Sequence, residues 1–131
     1  MVKLKEHNVE WALKHLQKYS HSDFYPRLFE ISAVSHNWIE VKKYLLSLDL
    51  QSYKPIPPMI NAAPKPNGTF RIVHQLDPID SLVYTSLIKE VCEAVEKYRL
   101  PESQRAVFSY RIKPDLEGSF FSSDTGWNEY L

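Results

Sequence analysis

The chain has 131 residues, of which 44% are hydrophobic and 24% charged, with 16 basic and 16 acidic side chains. This composition predicts one small globular domain with a modest core; it excludes an intrinsically disordered chain, and the balanced charge gives no general attraction to nucleic acid or membrane. The single cysteine excludes an intramolecular disulfide, and no apolar run approaches the ~20 residues of a membrane span, so we expect a cytoplasmic protein without a membrane partner.

The first fifty residues carry helical patterns. An apolar stripe with lysines and histidines opposite predicts an amphipathic helix over 4–19, and a short helical turn is expected within 27–34. Asn37 is a favourable helix cap, and Glu40 three residues later completes the pattern of a capping box. These two residues predict a second helix that ends near Leu50.

The middle of the chain predicts a β-hairpin over 58–76. Five of the nine prolines lie in or just before its first half, which excludes a helix there. Pro66-Asn67-Gly68 is a turn signal, because asparagine and glycine tolerate the positive φ of tight hairpin turns. The second half alternates and predicts a strand with one wet face. Its two faces are Phe70, Ile72 and Leu76 on one side, and Thr69, Arg71 and Gln75, the wet set, on the other.

A long helix is expected next, beginning at Asp77. Aspartate is a good N-cap, proline suits the first helical position, and Asp80 lies favourably near the positive end of the helix dipole. A stripe about five turns long then follows, formed by Ile79, Val83, Leu87, Val91, Ala94 and Tyr98. Residues 106–112 are prone to form a further strand, and the last six residues read as the opening of another helix.

Three basic residues are the candidate binding residues. Lys65 and Arg71 bracket the hairpin turn in a stretch without acidic residues, and together they would offer a point charge and a planar fork of donors to a phosphate. The alternative is that they are ordinary solvated cations. Arg111, on the predicted third strand, is placed to reach a nucleic-acid backbone, or else is a partly buried arginine paired with Asp77 or Asp80.

Residues for catalysis or metal binding are not evident in the sequence. Two-metal phosphoryl transfer needs carboxylates held close together, and the chain contains no Asp-Asp pair. Asp23 is better interpreted as a loop or capping residue, the five histidines show no metal-ligand spacing with Cys92, and Cys92 itself is expected to be a core thiol. A small enzyme would have to assemble a carboxylate cluster in space from Asp23, Asp77, Asp80 and Asp115.

The order of motifs from about residue 20 onwards resembles the fingers region of prokaryotic reverse transcriptases (RNA-directed DNA polymerases), in the phage-defence or abortive-infection branch. The strongest resemblance lies in Lys65-Pro66-Asn67-Gly68-Thr69-Phe70-Arg71-Ile72-Val73, Gln75-Leu76-Asp77-Pro78-Ile79-Asp80 and Val83-Tyr84. Similar motifs are Asp23-Phe24-Tyr25-Pro26, Phe29-Glu30, Glu96, Arg99-Leu100-Pro101, Val107-Phe108-Ser109-Tyr110-Arg111, Gly118 and Gly126-Trp127.

The resemblance implies a single α+β fingers-like domain over 1–131, with a helical part over 1–50 and a hairpin, long helix and further strand over 51–131. By carry-over, Lys65 and Arg71 would contact nucleotide phosphates or an RNA or DNA template, and Arg111 would give template or structural support. The palm, whose aspartates hold the magnesium ions in that family, is absent, so we expect this chain to be truncated before the palm and inactive alone.

That interpretation has one further consequence and one alternative. An isolated fingers fragment would expose the apolar surface that meets the missing palm domain, so self-association is expected. The alternative is a freestanding module derived from the fold, which binds nucleic acid or is a protein–protein interaction module. In the second case Trp127, Tyr130 and Leu131 would form the interaction patch.

Overall fold

The computed structural model describes residues 1–19, 29–101, 104 and 110–122. Within these ranges the fold is α+β, with four helices and one two-stranded antiparallel sheet. Its elements are α1 (Glu6–Tyr19), α2 (Phe29–His36), α3 (Trp38–Ser47), β1 (Met59–Pro64), β2 (Phe70–Gln75) and α4 (Pro78–Lys97). The predicted helices and hairpin are therefore confirmed in place, whereas most of the predicted third strand and all of the final helix lie outside the described residues.

The core forms where α1 packs against α4. Val9 and Leu13 of α1 meet Leu82 of α4, and Leu45 of α3 is fully buried beside them. The full buried cluster is Leu4, Val9, Ala12, Leu13, Val34, Leu45, Leu82 and Val83. Cys92 is also buried, as predicted. No helix in the described part of the chain has the length and apolar character needed to cross a bilayer.

A second face of α1 is also covered, contrary to the prediction that histidine lies on its polar side. Trp11 donates from Nε1 to the Asp115 carbonyl at 2.5 Å, and His15 donates from Nδ1 to the Gly118 carbonyl at 2.7 Å. The Phe120 ring stands edge-on to both, with centroids 4.5 and 4.8 Å away. Burial lowers the pKa of His15, and its bond to Gly118 opposes that shift. Two faces of α1 are thus needed for packing.

The capping box predicted at Asn37 does not form. Asn37 directly precedes α3, but its side chain makes no capping hydrogen bond to that helix. Its Nδ2 atom and its backbone N–H instead both donate to the carbonyl of Ala33, at 3.3 and 3.1 Å. Because α2 ends one residue before Asn37, the side chain completes α2 rather than starting α3. Helix α3 ends at Ser47, a little before the predicted end near Leu50.

The start of α4 is confirmed and carries a further anchor. Asp77 Oδ1 accepts from the Ile79 N–H at 2.8 Å, with proline at the first helical position. Asp80 is only 4% exposed and accepts from the Tyr53 hydroxyl at 2.5 Å and the Ile56 N–H at 2.9 Å. The pKa of the Tyr53 hydroxyl is raised, chiefly by burial and next by its hydrogen bond to the Asp80 carboxylate. Asp80 therefore fastens the proline-rich segment to the helix.

The predicted apolar stripe of α4 is covered only at its beginning. Ile79 and Val83 contact the core, whereas Leu87 and Val91 are exposed and Tyr98, at the helix end, is 93% exposed. At 100° per residue, the exposed set lies on the side of α4 opposite Leu82 and Ser86, which face α1. We call this set the α4 stripe; its residues are Tyr84, Leu87, Val91, Val95 and Tyr98.

Candidate nucleic-acid interface

The hairpin turn is a three-residue loop closed by backbone hydrogen bonds. Lys65 N donates to the Thr69 carbonyl at 2.8 Å, and Gly68 N donates to the Lys65 carbonyl at 3.1 Å. Gly68 has a φ of +78°, which the missing Cβ permits. Asn67 Oδ1 accepts from the Thr69 N–H and hydroxyl, at 3.3 and 2.7 Å. The Asn-Gly signal therefore acts as predicted, with the asparagine side chain fixing the turn.

Lys65 and Arg71 lie on the same face of the hairpin. The register pairs Ala63 with Arg71, and continuing it pairs Lys65 with Thr69, so all four point to one side. Diagonal neighbours of this kind have separations of about 7–8 Å, and both cationic side chains are exposed. The sheet thus presents an ammonium and a guanidinium side by side next to the turn.

The other face of the hairpin is apolar and exposed, which corrects the predicted sidedness. Phe70 and Ile72 are 65% and 62% exposed, whereas Ala63 is buried and Val73 half-buried on the face that carries Arg71. The alternation was predicted correctly, but the apolar side is not the covered one in the described structure. We call this set the hairpin apolar face; it comprises Ile60, Ala62, Pro64, Phe70 and Ile72.

Arg111 lies in a different environment, at the carboxyl end of α4. Its guanidinium is 3.1 Å from Glu96 Oε1 and donates to the Leu100 carbonyl at 2.6 Å, with 12% of the side chain exposed. Glu96 Oε2 also accepts from Arg99 at 3.0 Å and from the Ile112 N–H at 3.2 Å. This is the partly buried, paired arginine given as the alternative. The carboxylate partner of Arg111 is Glu96 and not Asp77 or Asp80 as predicted. Those two aspartates lie at the amino end of α4, which is about 30 Å long, so Arg111 at the carboxyl end does not reach them.

The structure therefore brings two of the three predicted site residues together and leaves the third apart. The hairpin joins the amino end of α4, and Arg111 is fixed at the carboxyl end of the same 20-residue helix. Lys65 and Arg71 form the candidate interface, and the contacts of Arg111 are those of a structural support.

The candidate carboxylates are engaged elsewhere. Asp77 caps α4, Asp80 binds Tyr53 and Ile56, and Asp115 Oδ1 accepts from the backbone N–H groups of its own turn. Asp23 lies outside the described residues. Over the ranges that are described, histidine, cysteine and acidic side chains form no group of three placed to hold a metal ion.

Two structural roles were missed in the sequence. Glu96 holds two arginines and one backbone N–H, and Trp11 and His15 hold the 115–120 turn. Trp11 and His15 are four residues apart on the supposedly polar side of α1, a spacing that places two rings on one helical face. That spacing was the available signal. For Glu96, the local signal was the i,i+3 spacing to Arg99, whereas Arg111 and Ile112 lie 15 and 16 residues away.

The chain matches no protein-family model, no curated protein and no solved structure. The hairpin with its basic pair, and the sequence resemblance, are thus the grounds for a functional assignment.

Proposed function

We propose that this chain is the fingers part of a reverse-transcriptase-like nucleic acid polymerase of an antiviral defence system. The hairpin would position an RNA or DNA template and the incoming nucleotide through Lys65 and Arg71. The observation that carries the proposal is that Lys65 and Arg71, both exposed, lie on the same face of the hairpin beside its hydrogen-bonded turn. The chain alone would be inactive, because the aspartates that bind magnesium in such a polymerase belong to its palm domain.

The chemistry of the pair suits phosphate oxygens. Lysine provides a compact charge, while arginine provides two parallel N–H donors, and both bind phosphate without reading base identity. The turn beside them is closed by the Asn67–Thr69 and Lys65–Thr69 hydrogen bonds, which fix the backbone positions from which the two cationic side chains extend. Arg111 contributes by holding the 110–112 segment to α4.

The proposal predicts weak, salt-sensitive and sequence-independent binding to single-stranded RNA or DNA. Replacing Lys65 and Arg71 together by alanine should remove about two phosphate contacts and flatten the slope of log K against log salt by roughly 1.5–2. Fluorescence anisotropy of a labelled oligonucleotide over a salt series measures this slope. The matched control is Lys3→Ala with Lys43→Ala, two exposed lysines outside the hairpin. The proposal fails if the two double variants have the same slope.

A protein-binding module is the second candidate, and the α4 stripe favours it. An exposed apolar stripe on a long helix is a surface that another protein, a palm domain or a second copy of this chain would cover. On the fingers interpretation the same stripe would face the palm. Protein association therefore accompanies both candidates, and nucleic-acid binding separates them.

Self-association through the α4 stripe is the expected behaviour of the isolated chain. The double variant Leu87→Glu, Val91→Glu places two charges in the stripe and should weaken the dimer by about tenfold or more, since a charge buried without a partner is costly. Sedimentation velocity over a concentration series measures it. Ile39→Glu is the control, because Ile39 is a 78% exposed apolar residue on α3. Equal weakening by the control, or a wild type that stays monomeric, contradicts this prediction.

A further inference from the structure

The α4 stripe has the spacing of a seam between two helices. Its exposed residues Tyr84, Val91, Val95 and Tyr98, together with the half-buried Ile88, follow one another at alternating intervals of four and three residues. This alternation averages about 3.5 residues, the period at which one side of a helix packs along another helix. The seam is about 21 Å long at 1.5 Å per residue. The stripe is therefore suited to a second helix.

Between Tyr84 and Tyr98, the charged side chains of α4 lie off the stripe. At 100° per residue, Glu90 and Lys97 lie about 100–120° around the helix from the middle of the stripe. The other charged residues in this range lie farther around still; they are Lys89, Glu93 and Glu96. A second helix laid along the stripe would therefore bury none of these charges, so the cost of an unpaired buried ion does not arise.

The stripe matches itself when a second copy is reversed about Val91. Tyr84 and Tyr98 each lie seven residues from Val91, so reversal brings Tyr84 beside Tyr98 of the second copy. Val91 then faces Val91 of the second copy at the centre. Because a two-fold axis places the same surface on both sides of a contact, a stripe with this symmetry fits a second copy of its own chain.

The sizes of the intervening side chains favour the reversed orientation over a parallel one. Leu87 and Ile88 form a layer of larger side chains, and Ala94 and Val95 form a layer of smaller ones. Reversal sets the larger layer of each copy against the smaller layer of the other. A parallel pair would instead set large against large and small against small. Facing layers fill space evenly when large side chains meet small ones, so the reversed pair packs better.

The proline-rich segment over Asp80 also favours the reversed orientation. Asp80 is 4% exposed, lies on the side of the stripe one turn before it begins, and holds Tyr53 and Ile56. A parallel pair would bring both copies of this segment to the same level between the helices. In the reversed pair, α4 of the second copy ends at Lys97, about 9 Å from the centre, whereas Asp80 lies about 17 Å from it. The segment therefore clears the second helix.

We propose that two copies of this chain pair through their α4 stripes, as an antiparallel helix pair centred on Val91. The pairing gives the self-association expected above one partner and one orientation, and it does not rest on nucleic-acid binding by the hairpin. Each hairpin joins the amino end of its own α4, so the pair carries two candidate nucleic-acid interfaces, one toward each end.

Disulfide trapping tests the centre of the pair. Val91→Cys, oxidised at a concentration where sedimentation velocity detects a dimer, should give at least about tenfold more disulfide dimer than Glu93→Cys, because facing cysteines reach the Cα separation of roughly 4.4–6.8 Å that the bond needs. Glu93 is exposed on the opposite side of α4, so it is the matched control. The unsubstituted chain is the second control, since its single cysteine, Cys92, is buried.

Two further variants report the orientation. In the reversed pair the two Tyr84 positions lie about 21 Å apart, and each faces Tyr98 of the other copy. Tyr84→Cys alone should therefore give no more disulfide dimer than Glu93→Cys, whereas a mixture of Tyr84→Cys and Tyr98→Cys chains should give the mixed dimer. Self-linking by Tyr84→Cys would identify a parallel pair and overturn the proposal. A Val91→Cys yield equal to that of Glu93→Cys would overturn it as well.

Failure of this pairing can be told apart from failure of the other proposals. If Leu87→Glu with Val91→Glu weakens the dimer but Val91→Cys forms no disulfide, the antiparallel pair is wrong and the self-association prediction stands. The salt slope of nucleic-acid binding depends on Lys65 and Arg71 and can be measured below the concentration at which the chain dimerises. A failure there leaves the α4 pair untouched.

Discussion

Replacing Gly118 by alanine should destabilise the fold by roughly 2–4 kcal/mol. Gly118 has a φ of +91°, and an added Cβ would lie 2.7 Å from His15 N and 2.9 Å from the Lys14 carbonyl carbon. Both are backbone atoms of α1, so neither moves out of the way without shifting the helix. Urea unfolding, followed by far-ultraviolet circular dichroism, gives the free energy of unfolding directly.

The matched control is Gly68→Ala in the hairpin turn. Gly68 has a similar φ of +78°, but nothing lies within 4 Å of an added Cβ. This variant should lose only the conformational term, about 1–2 kcal/mol. A larger loss at Gly118 than at Gly68 therefore measures the close approach of the 115–120 turn to α1. Equal losses in both variants would show that this approach does not exist in solution.

Glu96→Gln should cost roughly 2–3 kcal/mol, the second large effect. The glutamate carboxylate lies between Arg99 and Arg111, whose side chains are 21% and 12% exposed. Glutamine keeps the shape of the side chain and removes the negative charge that these two shielded guanidinium groups contact. The loss should appear in the urea midpoint at an unchanged slope. Amide exchange near Ile112 should also quicken, because its N–H donates to this carboxylate.

Glu93→Gln, almost one turn earlier on α4, is the control for the charge itself. Glu93 is 70% exposed and stands 3.7 Å from Lys89, an ordinary surface pair. Its loss should change the free energy of unfolding by less than about 0.5 kcal/mol. If Glu96→Gln proves as mild as Glu93→Gln, the Glu96 cluster does not hold the 110–112 segment to the helix.

The features predicted from the sequence are those that neighbouring residues determine. The Asn67-Gly68 turn and the Asp77 cap form as expected, because their hydrogen bonds join residues two to four apart. The capping box at Asn37 failed although it is equally local, because α2 ends one residue earlier and takes the same side chain. A local pattern thus gave a wrong prediction where a neighbouring helix used the same side chain for its own hydrogen bond.

Burial was harder to predict than element type. Periodicity showed that Leu87 and Val91 share a face of α4 and that Phe70 and Ile72 share a face of β2, and both statements are correct. It does not show which face the rest of the chain covers. For the candidate site, the sequence placed Lys65 and Arg71 beside one turn, but the pairing of Arg111 with Glu96 depends on a tertiary contact.

The packing of α1 also has a kinetic side. Its hydrogen bonds from Asn8 to Glu90 and from Trp11 to the Asp115 carbonyl span 82 and 104 residues. On a ribosome, the first helix emerges long before the groups that shield it, and long-range closure of this kind slows folding. The side chains of Val9 and Trp11 would therefore stay exposed to solvent until α4 and the 115–120 turn are synthesised.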